Sequence, residues 1–265
     1  SSVGSVASGV STRTATGRSG RPRGEASVSL YREHGIVLRT HKLGEADRIV
    51  SFYTAGNGKV RAVAKGVRKT RSKFGARLEP TSHVAAQFYE GRNLDIVTQV
   101  ETVDHFRALR EDLDRFARAS AMLEAVDQVS EDAPPSTALY QLLLRALRTL
   151  SSHPSNLVVA GFFWKLLALE GLRPTVDRCV RCGARDDLVA FDLGEGGLLC
   201  RTCRRGTAVS PEAVALLQQI LGGQLGAALE APDSPAGVEV ELLATRSLEH
   251  HLERRLRSLG VLEQA

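Results

Sequence analysis

Four cysteines, the only ones in the chain, fall into two pairs: Cys179-Val180-Arg181-Cys182 and, after a spacer of 17 residues, Cys200-Arg201-Thr202-Cys203. Two Cys-x-x-Cys pairs at this separation have the ligand spacing of a tetrahedral four-thiolate zinc site, each pair forming a short knuckle. Gly183, directly after Cys182, supplies the conformational freedom such a turn needs. Four thiolates around Zn²⁺ carry a net charge of about −2. Arg178, Arg181, Arg185, Arg201, Arg204 and Arg205 surround them with the opposite sign.

Other chemistries fit these cysteines less well. Two disulfides suit a small secreted chain, whereas this one has 265 residues and no secretory apolar segment. A thioredoxin-like pair would open a helix after a strand, and neither pair sits on such a pattern. A zinc deaminase needs His-x-Glu upstream of Pro-Cys-x-x-Cys; here the only His-x-Glu is His251-Leu252-Glu253, downstream, and Arg178 stands in the proline position. The expected cofactor is a structural Zn²⁺ held by Cys179, Cys182, Cys200 and Cys203, which says nothing of activity.

A second pattern points to a polyanion. From Arg48 to Leu78 there is no acidic residue, and the stretch from Lys59 to Arg77 holds eight cations. Such a run is the electrostatic footprint of phosphate-backbone binding, because an ordinary surface intersperses acids. Arg48, Lys59, Arg61, Lys65, Arg68, Lys69, Arg71 and Lys73 are the expected phosphate contacts. Phe52, Tyr53, Phe88 and Tyr89 lie on neighbouring strands and Phe74 within the run, where single-strand binders place stacking residues. Phe52 and Phe88 sit in alternating strands and are expected in the core, whereas Phe74, between Lys73 and Gly75, is expected to be exposed.

Patterns for catalysis are absent. Gly56-Asn57-Gly58-Lys59-Val60 lacks P-loop spacing and has Val where a hydroxyl is required, and there is no His-Glu-x-x-His or Gly-x-Ser-x-Gly. Glu111-Asp112-Asp114 reads as helix N-terminal charge, and His250-His251 as a polar helix face. No apolar stretch approaches the roughly 18 residues of a membrane span. The net charge of +5 is uneven: residues 28–110 hold 15 Lys/Arg against 8 Asp/Glu, and residues 207–265 hold 4 against 8. The amino-terminal half attracts polyanions.

The elements that would position these groups follow from periodicity. Residues 1–28, rich in Ser, Gly, Thr and Arg, read as a disordered basic extension. Five strand-like segments follow: Gly35 to Thr40, Asp47 to Thr54, Lys59 to Ala64, His83 to Glu90 and Asn93 to Val103. Turns are expected at Ala55-Gly56-Asn57-Gly58 and Glu90-Gly91-Arg92-Asn93. Five strands in about 75 residues predict a small antiparallel barrel. Beyond Arg107 the period becomes helical: one helix from Leu113 to before Pro134-Pro135, then Thr137 to Leu150, Ser155 to Leu172, Pro211 to Leu221 and Val240 to Leu259. The third, apolar almost all round, is expected at the centre of a helical domain. The cysteine module, at about 176–206, would staple a long connection with little core of its own.

The chain resembles the RecO family of bacterial recombination and repair proteins. The resemblance is carried by Tyr31-Arg32-Glu33-His34-Gly35-Ile36-Val37-Leu38, by Gly44-Glu45-Ala46-Asp47-Arg48-Ile49-Val50 and by Lys65-Gly66-Val67-Arg68-Lys69. Farther on, Phe163-Trp164-Lys165-Leu166-Leu167-Ala168-Leu169-Glu170-Gly171-Leu172-Arg173-Pro174, then Cys179 and Cys182-Gly183, are similar to the family pattern. It covers roughly Ser29 to Leu262, with residues 1–28 as a departure. The resemblance implies a multidomain α+β protein, with an OB-fold DNA-binding barrel at 29–107 and an α-helical domain at 108–265 carrying the zinc module. It also implies a non-enzymatic recombination mediator in the bacterial cytoplasm, with the nucleoid. Such a mediator binds single- and double-stranded DNA, anneals complementary strands and, with RecR, helps load RecA onto DNA coated by single-strand-binding protein. Read from the residues alone, a zinc-stabilised OB-fold RNA-binding factor remains the alternative, since phosphate contacts do not distinguish the sugars. A hydrolase with an unrecognised carboxylate site is a third reading.

Overall fold

The computed structural model describes residues 29–258 apart from 70, 71, 73 and 132, so the extension expected at 1–28 lies outside the described residues. Five strands, β1 (Leu30–Leu43), β2 (Asp47–Thr54), β3 (Gly58–Ala64), β4 (His83–Tyr89) and β5 (Asp95–Asp104), close into a barrel in the order β1-β2-β3-β5-β4. This is the expected OB-fold barrel. β1 is longer than its apolar stretch because one strand serves two neighbours: Leu30 to Ile36 pair with β4, and Gly35 to Leu43 with β2. A short parallel contact, Ala62 to Asp95 and Val63 to Ile96, completes the closure.

The barrel interior holds Val37, Val50, Phe52, Val60, Val84, Phe88 and Val97, so Phe52 and Phe88 are core as expected. Phe74 is not exposed. The residue is 1% accessible, because Val67, Phe74 and Leu78 from the connection between β3 and β4 join the barrel's core cluster together with Ala62 and Ala64.

Seven helices follow among the described residues: α1 (Arg107–Arg110), α2 (Leu113–Val129), α3 (Thr137–Ser152), α4 (Asn156–Leu169), α5 (Pro211–Leu221), α6 (Leu225–Leu229) and α7 (Pro235–Leu252). The short α1 and α6 carry too little periodicity to be anticipated. Side-chain caps start the long ones: Asp112, Ser136, Ser155, Ser210 and Ser234 each accept a first-turn N–H, and Pro211 and Pro235 follow the last two serines. Such a cap stabilises a helix by about 1 kcal/mol, and the Ser234-Pro235 start places α7 five residues earlier than its apolar pattern suggests. It also ends earlier, at Leu252 rather than Leu259. α4 is central as expected, packed against α2, α3, α5, α6 and α7, with Phe162, Phe163, Trp164 and Leu166 buried.

The connection between α4 and α5 has more structure than the sequence indicates. β6 (Leu188–Asp192), β7 (Gly197–Cys200) and β8 (Thr207–Ala208) form a small sheet in the order β7-β6-β8. Its Leu188, Ala190, Phe191, Leu198 and Leu199 join the helical core, and Phe191 meets Trp164 with ring centroids 5.8 Å apart. The module is part of the core, correcting the expectation of a stapled loop.

The barrel is docked on the helices by a strand buried on both faces. Gly35 to Leu38 are all buried; Val37 points into the barrel, while Ile36 and Leu38 point out into the helical core. The same alternation sends Phe52 inward and Tyr53 outward. Gly58, at φ 63°, opens β3 so close to the helical domain that a Cβ there would lie 2.9 Å from Pro135 Cα. Beside it Lys59, its side chain 7% exposed, pairs with Asp127 of α2 at 2.9 Å and with Glu131, while Arg39 of β1 reaches the same Asp127 at 3.0 Å. His83 of β4 shares a 2.7 Å hydrogen bond with the Tyr140 hydroxyl of α3.

Two outcomes are expected. Asp127→Ala leaves a buried ammonium short of its partner and should lower unfolding free energy by about 3 kcal/mol, whereas the apolar pair Lys59→Met/Asp127→Leu should cost much less; urea melts check both. Burial, His34 and Arg148 hold the His83 imidazole at about 4, well below its usual range. The unfolded chain therefore binds a proton near pH 6.5 that the folded chain refuses until about pH 4, so stability should fall as pH drops through that window. Melts of His83→Gln across pH 4 to 7 should show a flatter dependence than wild type.

Candidate nucleic-acid face and metal centre

The docking above covers the outer face of β1, β2 and β3 at Ile36, Leu38, Ser51, Tyr53 and Lys59 and leaves it open only beyond them, towards the β1–β2 turn. At the edge of the covered part the register sets the exposed Arg39 and Arg61 on either side of the buried Ser51; the next row, His41, Ile49 and Val63, is at least partly exposed. Lys65 follows β3 directly. The loop after it is clamped to the β1–β2 turn: Asp47 accepts the Gly66 N–H at 2.7 Å, Ala46 O accepts the Arg68 N–H at 3.0 Å, and the Arg68 guanidinium donates to Gly44 O at 3.2 Å. That clamp holds the cationic loop against the end of the face.

The eight expected cations do not behave alike. Arg61, Lys65 and Lys69 are exposed and make no ion pair among the described residues, and Arg68 is exposed with only carbonyl partners. Arg48 is braced by Glu79 at 2.7 Å. Lys59 leaves the surface altogether, because its register opposite Tyr53 turns it into the domain interface. Arg71 and Lys73 lie outside the described residues. Conversely, Arg39 and His41 of β1 stand beside β2 on the outer side of the barrel, while Lys42, opposite Arg48, lies on the other face of the strand. They escaped the sequence reading because Glu45 and Asp47 separate them from the acid-free run; the β1–β2 hairpin pairing was the signal that would have joined them.

Aromatic platforms are missing from the face. None of the eight Phe, four Tyr and one Trp is exposed: Phe52, Tyr53, Phe74 and Phe88 are buried, and Tyr31 and Tyr89 are half-buried. Tyr31 is further fixed by donating its hydroxyl to Asp95; burial, together with that bond, pushes its phenol well above the usual range. The face therefore offers charge without stacking.

The four cysteines converge. Their sulfurs all lie within 4.8 Å of one another, and Cys182 and Cys200 Sγ are 3.6 Å apart, close to the edge of about 3.8 Å for a tetrahedron of 2.3 Å zinc–sulfur bonds. No pair is at bonding distance. Gly183, at φ 77°, lets its N–H donate to Cys179 O at 2.9 Å and close the first knuckle; a tight turn after β7 presents Cys200 and Cys203 from the other side. The donor set could hold a soft divalent ion such as zinc. Of the six arginines around it, Arg181 and Arg205 are engaged by Glu195 and Asp192 of the β6–β7 turn, and Arg178, Arg185, Arg201 and Arg204 remain exposed.

Comparison with known proteins agrees with this architecture. The family model "Recombination protein O N terminal" matches residues 28–106, and "Recombination protein O C terminal" matches residues 110–260. The chain belongs to the RecO family. A relative from a Nocardioides species, named DNA repair protein RecO, is 44% identical over 245 residues, which is 89% of this chain and the whole of the relative. The five-stranded barrel, the helical domain and the four-cysteine cluster are thus features of a RecO-family DNA repair protein, and no helix among its described residues is long and apolar enough to cross a membrane.

Because the cysteines stitch a core sheet rather than line the cationic face, Cys179→Ser/Cys182→Ser should lower the melting temperature and abolish stoichiometric metal while leaving the DNA affinity of the still-folded fraction close to wild type. Metal analysis and a melt alongside a binding titration check this. A fully stable variant that fails only in binding would show that the two roles had been separated wrongly.

Proposed function

We propose that this RecO-family chain binds single- and double-stranded DNA through the outer face of its barrel and anneals complementary strands. With RecR it would help load RecA onto DNA coated by single-strand-binding protein, acting as a cytoplasmic mediator at the nucleoid. In this reading residues 29–107 are the DNA-binding unit and 108–265 the helical domain, whose four-cysteine module holds a structural Zn²⁺. The observation that carries the annealing step is a cationic face without an exposed aromatic residue.

Annealing requires two polyanions to approach while their bases stay free to pair. Arg61, Lys65, Arg68 and Lys69 would neutralise phosphates and release counterions, which lowers the repulsion between strands without reading sequence. An aromatic platform would do the opposite, since a base stacked on a side chain, worth about 1–3 kcal/mol, must be freed before it pairs. The zinc would hold its knuckles and the β6–β7–β8 sheet in place and supply no chemistry to the strands.

Four contacts on a single strand should make log K fall against log salt with a slope of roughly −3. Lys65→Glu/Arg68→Glu/Lys69→Glu should weaken DNA binding and slow annealing together, and affinity should vary little between homopolymers of different bases. Unchanged affinity at moderate salt would sink the reading. Annealing measured on DNA and on RNA strands, with and without single-strand-binding protein, separates a recombination mediator from an RNA-binding factor.

A further inference from the structure

α7 ends at Leu252, where Glu253 takes a left-handed conformation at φ 50°, and Arg254-Arg255-Leu256-Arg257 folds back instead of continuing the helix. Left-handed backbone costs a non-glycine residue roughly 1 kcal/mol or more, so the turn must be held from outside. Leu256 is buried and donates its N–H to the Glu249 carboxylate at 2.8 Å. Glu124 of α2, already holding the Gln128 amide, accepts three bonds from the tail: the Arg257 N–H at 3.0 Å, the Ser258 N–H at 2.9 Å and the Ser258 hydroxyl at 2.7 Å.

The fold-back brings Arg254 and Arg257 to an open cleft of about 790 Å³, which is also lined by Leu38, Arg39 and Pro80 of the barrel. Both arginines are exposed and make no side-chain ion pair among the described residues, while Arg255 does not line the cleft. The acids there are already engaged: Glu124 by the tail, Asp127 by Lys59 and Arg39, and Glu131 by Lys59. Arg39, 46% exposed, lines the cleft and also stands in the Arg39-Ser51-Arg61 row of the barrel face. Exposed cations therefore follow one another from Lys65 and Arg61 past Arg39 to the tail, with Glu131, held by Lys59, the exposed acid beside them.

We propose that Arg254 and Arg257 form a second phosphate-binding element, so that a single strand lying on the barrel face continues into the cleft and is gripped by both domains. This rests on the barrel face being the DNA site. General attraction does not account for it, because residues 207–265 carry a net charge of −4. What matters is where Glu124 holds the two arginines.

The full chain, with binding to a labelled oligonucleotide read at several salt concentrations and folding checked by thermal melts, tests this. Arg254→Glu/Arg257→Glu should weaken binding about tenfold or more and make the salt slope shallower by about 1.4, two contacts at 0.7 each. Arg255→Glu should have a much smaller effect. Glu124→Ala removes an acid yet should weaken binding, since it releases the tail. If Arg255→Glu matches the double variant, or Glu124→Ala binds more tightly than wild type, the arginines act only through net charge and the proposal is wrong. Wild-type affinity and slope in the double variant, with the barrel triple variant impaired, would overturn the tail and leave the barrel reading standing. Wild-type affinity in the barrel triple variant as well would overturn both.

Discussion

The structure depends on burying both faces of one strand. Gly35, Ile36, Val37 and Leu38 alternate between the barrel interior and the helical core, so neither the barrel nor the bundle can expel water from its apolar surface without the other. A barrel side chain such as Tyr53 is for this reason a member of the helical core. The Lys59–Asp127–Arg39 cluster sits at the edge of that seam and ties β1 and β3 to α2, since a buried ammonium left without its carboxylate would be costly.

That seam decides which cations can meet a ligand. It takes Lys59, Ser51 and Tyr53 out of solvent and leaves open only the part of the β1–β2–β3 face towards the β1–β2 turn and the loop after β3, with the loop clamped by Asp47 and Arg68. The barrel's core cluster takes up Phe52, Phe74 and Phe88. What remains outside is charge beside the aliphatic Ile49 and Val63, and a cationic surface without aromatic platforms grips backbone and leaves bases unstacked. The carboxyl-terminal tail belongs to the same surface because Glu124 draws it across α2 to face Arg39.

The cysteine module is less separate than a zinc knuckle on a loop would be. Phe191 against Trp164, and Leu198 and Leu199 within the helical cluster, tie its small sheet to α4. Cys179 and Cys200 are buried at the base of the module and Cys182 faces outward. A metal there would brace an existing core extension, and its arginine shell is partly neutralised by Asp192 and Glu195.

By itself the sequence determined the local chemistry: strands with period two, helices with an apolar period near 3.6, and two Cys-x-x-Cys pairs whose spacing announced a four-sulfur cluster. These were legible because each depends on residues a few positions apart. The strand order of the barrel, the β6–β7–β8 sheet and the fold-back at Glu253 depend on partners far away, such as Glu124 for Ser258 and Trp164 for Phe191. The cationic run was visible as a sum of charges, but only tertiary packing sorted it, turning Lys59 inward, pairing Arg48 with Glu79 and adding Arg39 from another strand. Charge is a property of residue type, whereas exposure is a property of what packs beside it.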